Sequence, residues 1–231
     1  MNETVWKISV FLLPLYFSIV LHEIAHGFAA YCLGDDTAQK KGRLTLNPIS
    51  HFDPIGSFLV PMVLMLSHAP MFGWAKPVPV NYWHLDHPKK DMGLVALAGP
   101  LMNFILAVLC AFVVTVGEKY LPNTPFNQWL LGNFMVGFVL SLSLCAFNLF
   151  PVLPLDGGRI LVSILPKDLS EKYAETEKFG FVILMFLFFV LPSVAQATGN
   201  AKFDILSSYM LWMREGLLNV IGFIIKGEKI W

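Results

Sequence analysis

The chain has 231 residues, of which 56% are hydrophobic and only 14% charged, and its formal net charge is zero. A soluble domain usually carries about 25% charged residues, and a mean hydropathy of +0.63 leaves too little polar surface for one. The composition excludes an ordinary soluble domain, a basic surface for nucleic acid and an acidic solvated tail, and it points to an all-α polytopic membrane protein.

Crossing about 30 Å of hydrocarbon takes roughly 20 apolar residues. Val5–Leu33 is the first such run, closed by Gly34 and the polar DDTAQKKGR. Its start, MNETVWK, is only weakly basic and the run outlasts the roughly 7–15 apolar residues of a signal peptide, so a retained helix is expected. PIGSFLVPMVLML, residues 54–66, is apolar but short and is interrupted by Pro61, which suits a re-entrant or interfacial segment. GWAKPVPVNYW then mixes small and β-branched residues with two prolines, the pattern of an extended, edge-type segment near 74–83. Met92–Val116, Trp129–Leu153 and Phe179–Ala197 are three further spans, and Ile205–Ile225 is a fifth, interrupted by Arg214 and Glu215. The expected architecture is one integral-membrane domain over 1–231 with four to six transmembrane or re-entrant helices. Its core motifs fall in 22–159 and its C-terminal helices in 179–225. Cys32, Cys110 and Cys145 sit in apolar runs without CxxC spacing and read as packing residues.

The loop charges give an orientation. Lys40, Lys41, Arg43, Lys76, Lys89, Lys90, Arg159, Lys167, Lys172, Lys178, Lys226 and Lys229 fall in one set of connections, whereas Lys7, Lys119 and Lys202 fall in the other. The positive-inside rule puts the first set in the cytoplasm and the N-terminus outside. Residues 54–73 must then return to the side they leave, as a re-entrant segment does.

Within the first run, VLHEIAHGFAAYC places His22, Glu23 and His26 in hydrocarbon, where an ionisable side chain is costly and marks a functional site. His22 and His26 are four apart and share one helix face. That spacing suits two ligands of a tetrahedral Zn²⁺, with Glu23 placed as general base toward water. A catalytic zinc site takes a third protein ligand and keeps one open position. At 1.5 Å per residue the two histidines lie roughly 10–17 Å inside the cytoplasmic end of their helix. Asp156, in LPLDGGR after Pro151 and Pro154, falls near the same depth; there it is either the third ligand or a helix cap beside a glycine turn.

HEIAH in the first helix, AGPLMN opening a later one and NLFPVLPLDGGR ending another, in that order across residues 22–159, resemble the site-2 protease family of intramembrane zinc metalloproteases. The resemblance implies that Glu23 is the base, that His22, His26 and Asp156 hold one zinc ion, and that Asn103 and Asn148 lie near the catalytic centre. It further implies a cytoplasm-facing site in a prokaryotic plasma membrane that cuts transmembrane segments of regulatory proteins, with lipid and a transmembrane substrate as partners. The 118–128 loop has no room for a PDZ domain and no CBS domain follows residue 231, so a minimal member is expected.

As neutral amides at the zinc depth, Asn103 and Asn148 serve either as donors to a developing oxyanion or as interhelical hydrogen-bond partners. The extended 74–83 stretch is either a clamp that pairs with unwound substrate or a surface hairpin. His51 and Asp53 in NPISHFDPIG read as a structural turn, and His84 and His87 in HLDHP as an interfacial loop. Two rivals remain. Prenyl-protein-processing HExxH enzymes take a downstream Glu ligand from an ExxxH-like pattern, which no later glutamate here forms. A non-proteolytic metal-binding or metal-transport protein would not need Glu23 as a base.

Overall fold

A computed structural model describes residues 3–60, 62–63 and 75–226. Helix α1 is Glu3–Cys32, α2 Pro88–Tyr120 and α3 Pro125–Asn148. The short α4, Asp156–Ile164, follows, then the helical rod α5 over Lys167–Thr198 and α6, Ile205–Lys226. Among the described residues, four helices (α1, α2, α3 and α5) are long and apolar enough to cross a bilayer. The fifth run does form a 22-residue helix, α6, but Arg214, Glu215 and Asn219 keep it out of that class.

The helix ends follow from local chemistry. Pro88 opens α2, where its missing N–H costs nothing, and Asp91 reaches back to accept the N–H of His87 at 2.6 Å. Thr124 caps α3, its hydroxyl accepting from the N–H of Asn127 at 3.2 Å. Trp129–Leu153 is too long as a helix: α3 stops at Asn148, because Pro151 and Pro154 supply no N–H for another turn. Residues 149–155 instead fold into tight turns, with the Val152 N–H on the Phe150 carbonyl at 2.8 Å and the Leu155 N–H on Val152 at 2.9 Å. The Leu153–Pro154 peptide is cis. Gly157 lets α4 begin against this turn, since a Cβ there would lie 2.3 Å from the Leu149 carbonyl oxygen.

Helices α1, α2 and α3 pack on one another as the central bundle. Ser18 and Ser141 join α1 to α3 at 2.9 Å, and Trp129 donates to Ser9 at 2.9 Å. Ala107, Leu142 and Ile221 form the buried contact of α2, α3 and α6. Leu184 and Leu187 of α5 pack with Phe150, Leu155 and Leu206, which holds the 149–155 turn from the far side.

Residues 75–81 are extended and Tyr82–His84 form a 3-10 turn, while Trp74 lies outside the described residues. The extended strap pairs with no strand among the described residues and is tied to three side chains and one backbone carbonyl instead. The Lys76 N–H bonds the His51 carbonyl at 2.9 Å and the Lys76 carbonyl accepts from Arg43 at 2.8 Å. The N–H of Val78 donates to Glu23 at 2.8 Å and that of Asn81 to Asp35 at 2.6 Å. Before the strap, Pro54–Leu59 forms a π-helical turn capped by Asp53. The Tyr16 hydroxyl donates to the Leu46 carbonyl, which lays this loop along α1. Pro61 and residues 64–73 of the expected re-entrant segment lie outside the described residues.

Candidate metal centre

His22 and His26 project from one face of α1 with ring centroids 4.6 Å apart and planes at 88°. Asp156 meets them from the first turn of α4. His22 Nε2 is 3.0 Å from His26 Nε2, and Asp156 Oδ2 is 3.2 Å from the first and 3.3 Å from the second. Three corners of a tetrahedron around an ion bound at about 2.0–2.1 Å stand roughly 3.4 Å apart. The three atoms are already close to that spacing.

The hydrogen-bond chemistry fits a cation as well. His26 Nδ1 lies 2.7 Å from the Val95 carbonyl. A carbonyl only accepts, so Nδ1 carries the hydrogen and Nε2 presents its lone pair. His22 Nδ1 faces the amide nitrogen of Asn103 at 3.1 Å. Asn103 is fully buried and its Oδ1 has no partner among the described residues. Turning the amide over brings Oδ1 onto an Nδ1–H of His22, which partners that oxygen and frees Nε2 as a lone pair. With both Nε2 atoms as lone pairs, Asp156 Oδ2 is itself buried without a hydrogen-bond donor among the described residues. Two imidazole nitrogens and one carboxylate oxygen that converge without a proton to share match the donor set of zinc.

The three groups line a cavity of about 390 Å³ together with Glu23 and Asn148. Its other walls are mostly apolar, among them Val78, Met92, Val95 and Leu155. Glu23 is partly buried and fixed by the Val78 N–H. Asn148 donates within its own helix to the Leu144 carbonyl at 3.1 Å. Asn103 touches the ring nitrogen of His22 remote from Asp156.

The other polar residues singled out from the sequence lie elsewhere. His51 is buried with Nε2 2.8 Å from the Thr45 carbonyl, and Asp53 accepts the N–H groups of Ile55 and Gly56. His87 Nδ1 stands 3.8 Å from Asp91. His84 lies 3.3 Å from Asp35, whose other contacts are with Thr37 and Asn81. Burial pushes the Asp35 carboxyl up, but hydrogen bonds from the Thr37 side chain, the Asn81 and Thr37 N–H groups and His84 together hold it below the usual carboxylate range.

Two contributors were given no role from the sequence. The Val95 carbonyl is backbone and leaves no side-chain signal. Gly99 does leave one, a glycine before Pro100 inside an apolar helix, where glycine costs about 1 kcal/mol against alanine. A Cβ at Gly99 would lie 2.4 Å from His26 Nε2 and 2.6 Å from His22 Cε1, so the two rings occupy the space a side chain would fill.

Peptidase family M50 matches residues 122–191 of the chain. YwhC of Bacillus subtilis, named as a zinc metalloprotease, is 38% identical over 202 residues, covering 87% of this chain and 83% of YwhC. Rip2 of Mycolicibacterium smegmatis, named likewise, is 28% identical over 183 residues, 78% of this chain and 68% of Rip2. The zinc metalloprotease MJ0392 of Methanocaldococcus jannaschii is 28% identical over 195 residues, 83% of this chain and 45% of its own length. No solved structure matches the chain significantly. With YwhC matched along most of both chains, and four apolar helices of spanning length, the chain belongs to the site-2 protease family and is an integral-membrane zinc metalloprotease.

Proposed function

We propose that this protease works within the bilayer and cuts peptide bonds in or near transmembrane segments of membrane-bound regulatory proteins, from the cytoplasmic side of a prokaryotic plasma membrane. One observation carries the reading: His22, His26 and Asp156 converge to within 3.0–3.3 Å on a cavity that Glu23 also lines. The cationic loops argue for the cytoplasmic side.

In this reading His22, His26 and Asp156 hold one zinc ion. Zinc in such a site polarises a carbonyl and acidifies water. Glu23, kept in place by the Val78 N–H, takes a proton from water as the oxygen attacks the scissile carbonyl, and then delivers it to the leaving amine. Asn103 orients the His22 ring and Asn148 donates toward the carbonyl oxygen as charge builds on it. A helical substrate hides its carbonyls in hydrogen bonds and must unwind to be cut. The strap beside Glu23 is the extended backbone along which unwound chain would lie.

The test is zinc content and cleavage of a transmembrane reporter by the purified protein. Wild type should carry about one zinc per chain, and His22→Ala and Asp156→Ala should lose it. Glu23→Gln should keep the zinc and lose roughly 10²–10⁴-fold in rate. Full zinc in Asp156→Ala would remove the third ligand, an active Glu23→Gln would remove Glu23 as the base, and a wild-type chain that holds zinc but cuts no reporter would point to metal binding or transport without proteolysis.

A further inference from the structure

A second cavity, of about 500 Å³, adjoins the first and shares Val80, Met92 and Arg159 with it. Lys89, Lys167 and Glu177 line it as well, and the two lysines belong to the cationic loops assigned to the cytoplasm. Arg159 follows Asp156 by three residues on α4 and so shares its face. Among the described residues it is the only lysine or arginine that lines the cavity of His22, His26 and Asp156. Its present partner is Glu177, reached by one N–H at 3.1 Å, with the two side chains 38% and 48% exposed. A pair so open to solvent holds weakly and exchanges easily.

Hydrolysis changes what this cavity must accommodate. The peptide C–N bond breaks, a C–O bond to the water oxygen forms, and a neutral peptide plus water becomes one carboxylate and one ammonium. The carboxylate forms at the metal centre, and as it leaves that centre it passes Val78, Met92, Val95 and Leu155, where an unpaired charge is costly. An arginine carries five donors in a planar fork that matches a carboxylate.

We propose that Arg159 is the receptor for the carboxylate created by cleavage: it exchanges Glu177 for the new chain end and draws that end from the catalytic cavity into the second one. The proposal rests on the reading that cleavage occurs at His22, His26 and Asp156. Before cleavage the substrate offers Arg159 no carboxylate, so its role lies in product binding and release, and Arg159 is not required to hold metal.

The experiment uses the full chain, purified in detergent with zinc, and a short fluorescein-labelled Ala-Leu peptide made both with a free C-terminal carboxylate and as its amide. Anisotropy measures the affinity for each. Wild type should prefer the acid. Arg159→Gln should weaken acid binding by about tenfold or more, the range of a charge-assisted hydrogen bond, and leave the amide unchanged. Arg159→Lys should restore part of the preference, and Glu177→Gln, which removes the competitor, should tighten the acid a few-fold. Equal affinity for acid and amide in wild type, or an acid preference untouched in Arg159→Gln, overturns the proposal. Zinc content on the same samples separates the two failures. Full zinc with no acid preference overturns this proposal alone, whereas a wild-type chain without zinc overturns the underlying reading and this proposal together.

Discussion

Gly99 stands where α2 passes the two imidazoles, and any side chain there would press on both. Gly99→Ala therefore sets two effects against each other. Alanine favours the helix by about 1 kcal/mol, yet its Cβ must push His26 and His22 from the spacing that suits a metal. The expected outcome is unchanged or higher helicity with zinc affinity down roughly 10–100-fold, the loss typical when the support of a ligand is disturbed. Competition with a chelator of known affinity, together with circular dichroism, would measure both. Zinc affinity equal to wild type would show that the rings have room to shift. HEIAH was legible because ionisable residues at helical spacing contrast with an apolar run. The partners that fix its two rings were less so: the Val95 carbonyl belongs to every residue type, and the Asn103 contact spans 81 positions of sequence.

The strap links the site to the C-terminal end of α1. Val78 holds Glu23, and three residues later Asn81 is anchored on Asp35, which is fully buried. Because the Asp35 carboxyl titrates below its ordinary value in the folded chain, its contribution is complete above the unfolded value of about 4 and is lost as pH falls through the folded one. Hydrogen-exchange protection of the Val78 and Asn81 amides should thus hold from neutral pH down to about 5 and fall below about 4, after correction for intrinsic rates. Asp35→Asn should show the reduced protection already at neutral pH. Protection that ignores both pH and the substitution would mean the strap is held by its other ties. Extended backbone over 75–81 was readable from Pro77 and Pro79, which rule out helix. What the strap is tied to was not readable, since Arg43, His51, Glu23 and Asp35 are brought to it only by tertiary packing. The end of α3 was misjudged by five residues because hydropathy continues through Leu149, Phe150 and Val152, whereas the supply of N–H groups does not.

The proposed ligands come from α1 and α4, which nothing in the sequence brings together, since Asp156 follows His26 by 130 residues. Hydropathy marks the four long helices well, because each is a continuous apolar run, but it carries no information on which helix faces which. A metal shared by α1 and α4 couples the first helix to the turn that ends α3. Bound at a thousand times its dissociation constant it would add about 4 kcal/mol to stability. Chelation is expected to lower the thermal midpoint of the detergent-solubilised protein by on the order of 10 °C, and Asp156→Ala should show the lower midpoint with or without chelator. A midpoint indifferent to chelation would mean that packing alone joins the two elements.

The same separation bears on how the protein is made. A ribosome adds residues at about 5–20 per second, so His22, Glu23 and His26 are in the chain many seconds before Asp156 exists. Throughout that interval the proposed ligand set lacks its carboxylate. With Asp156 as the proposed third ligand, proteolytic competence would arrive only with the LDGGR turn, after three of the four long helices have been synthesised. On the proposed ligand set, the order of the motifs along the chain thus acts as a clock that delays the metal centre until most of the membrane helices exist.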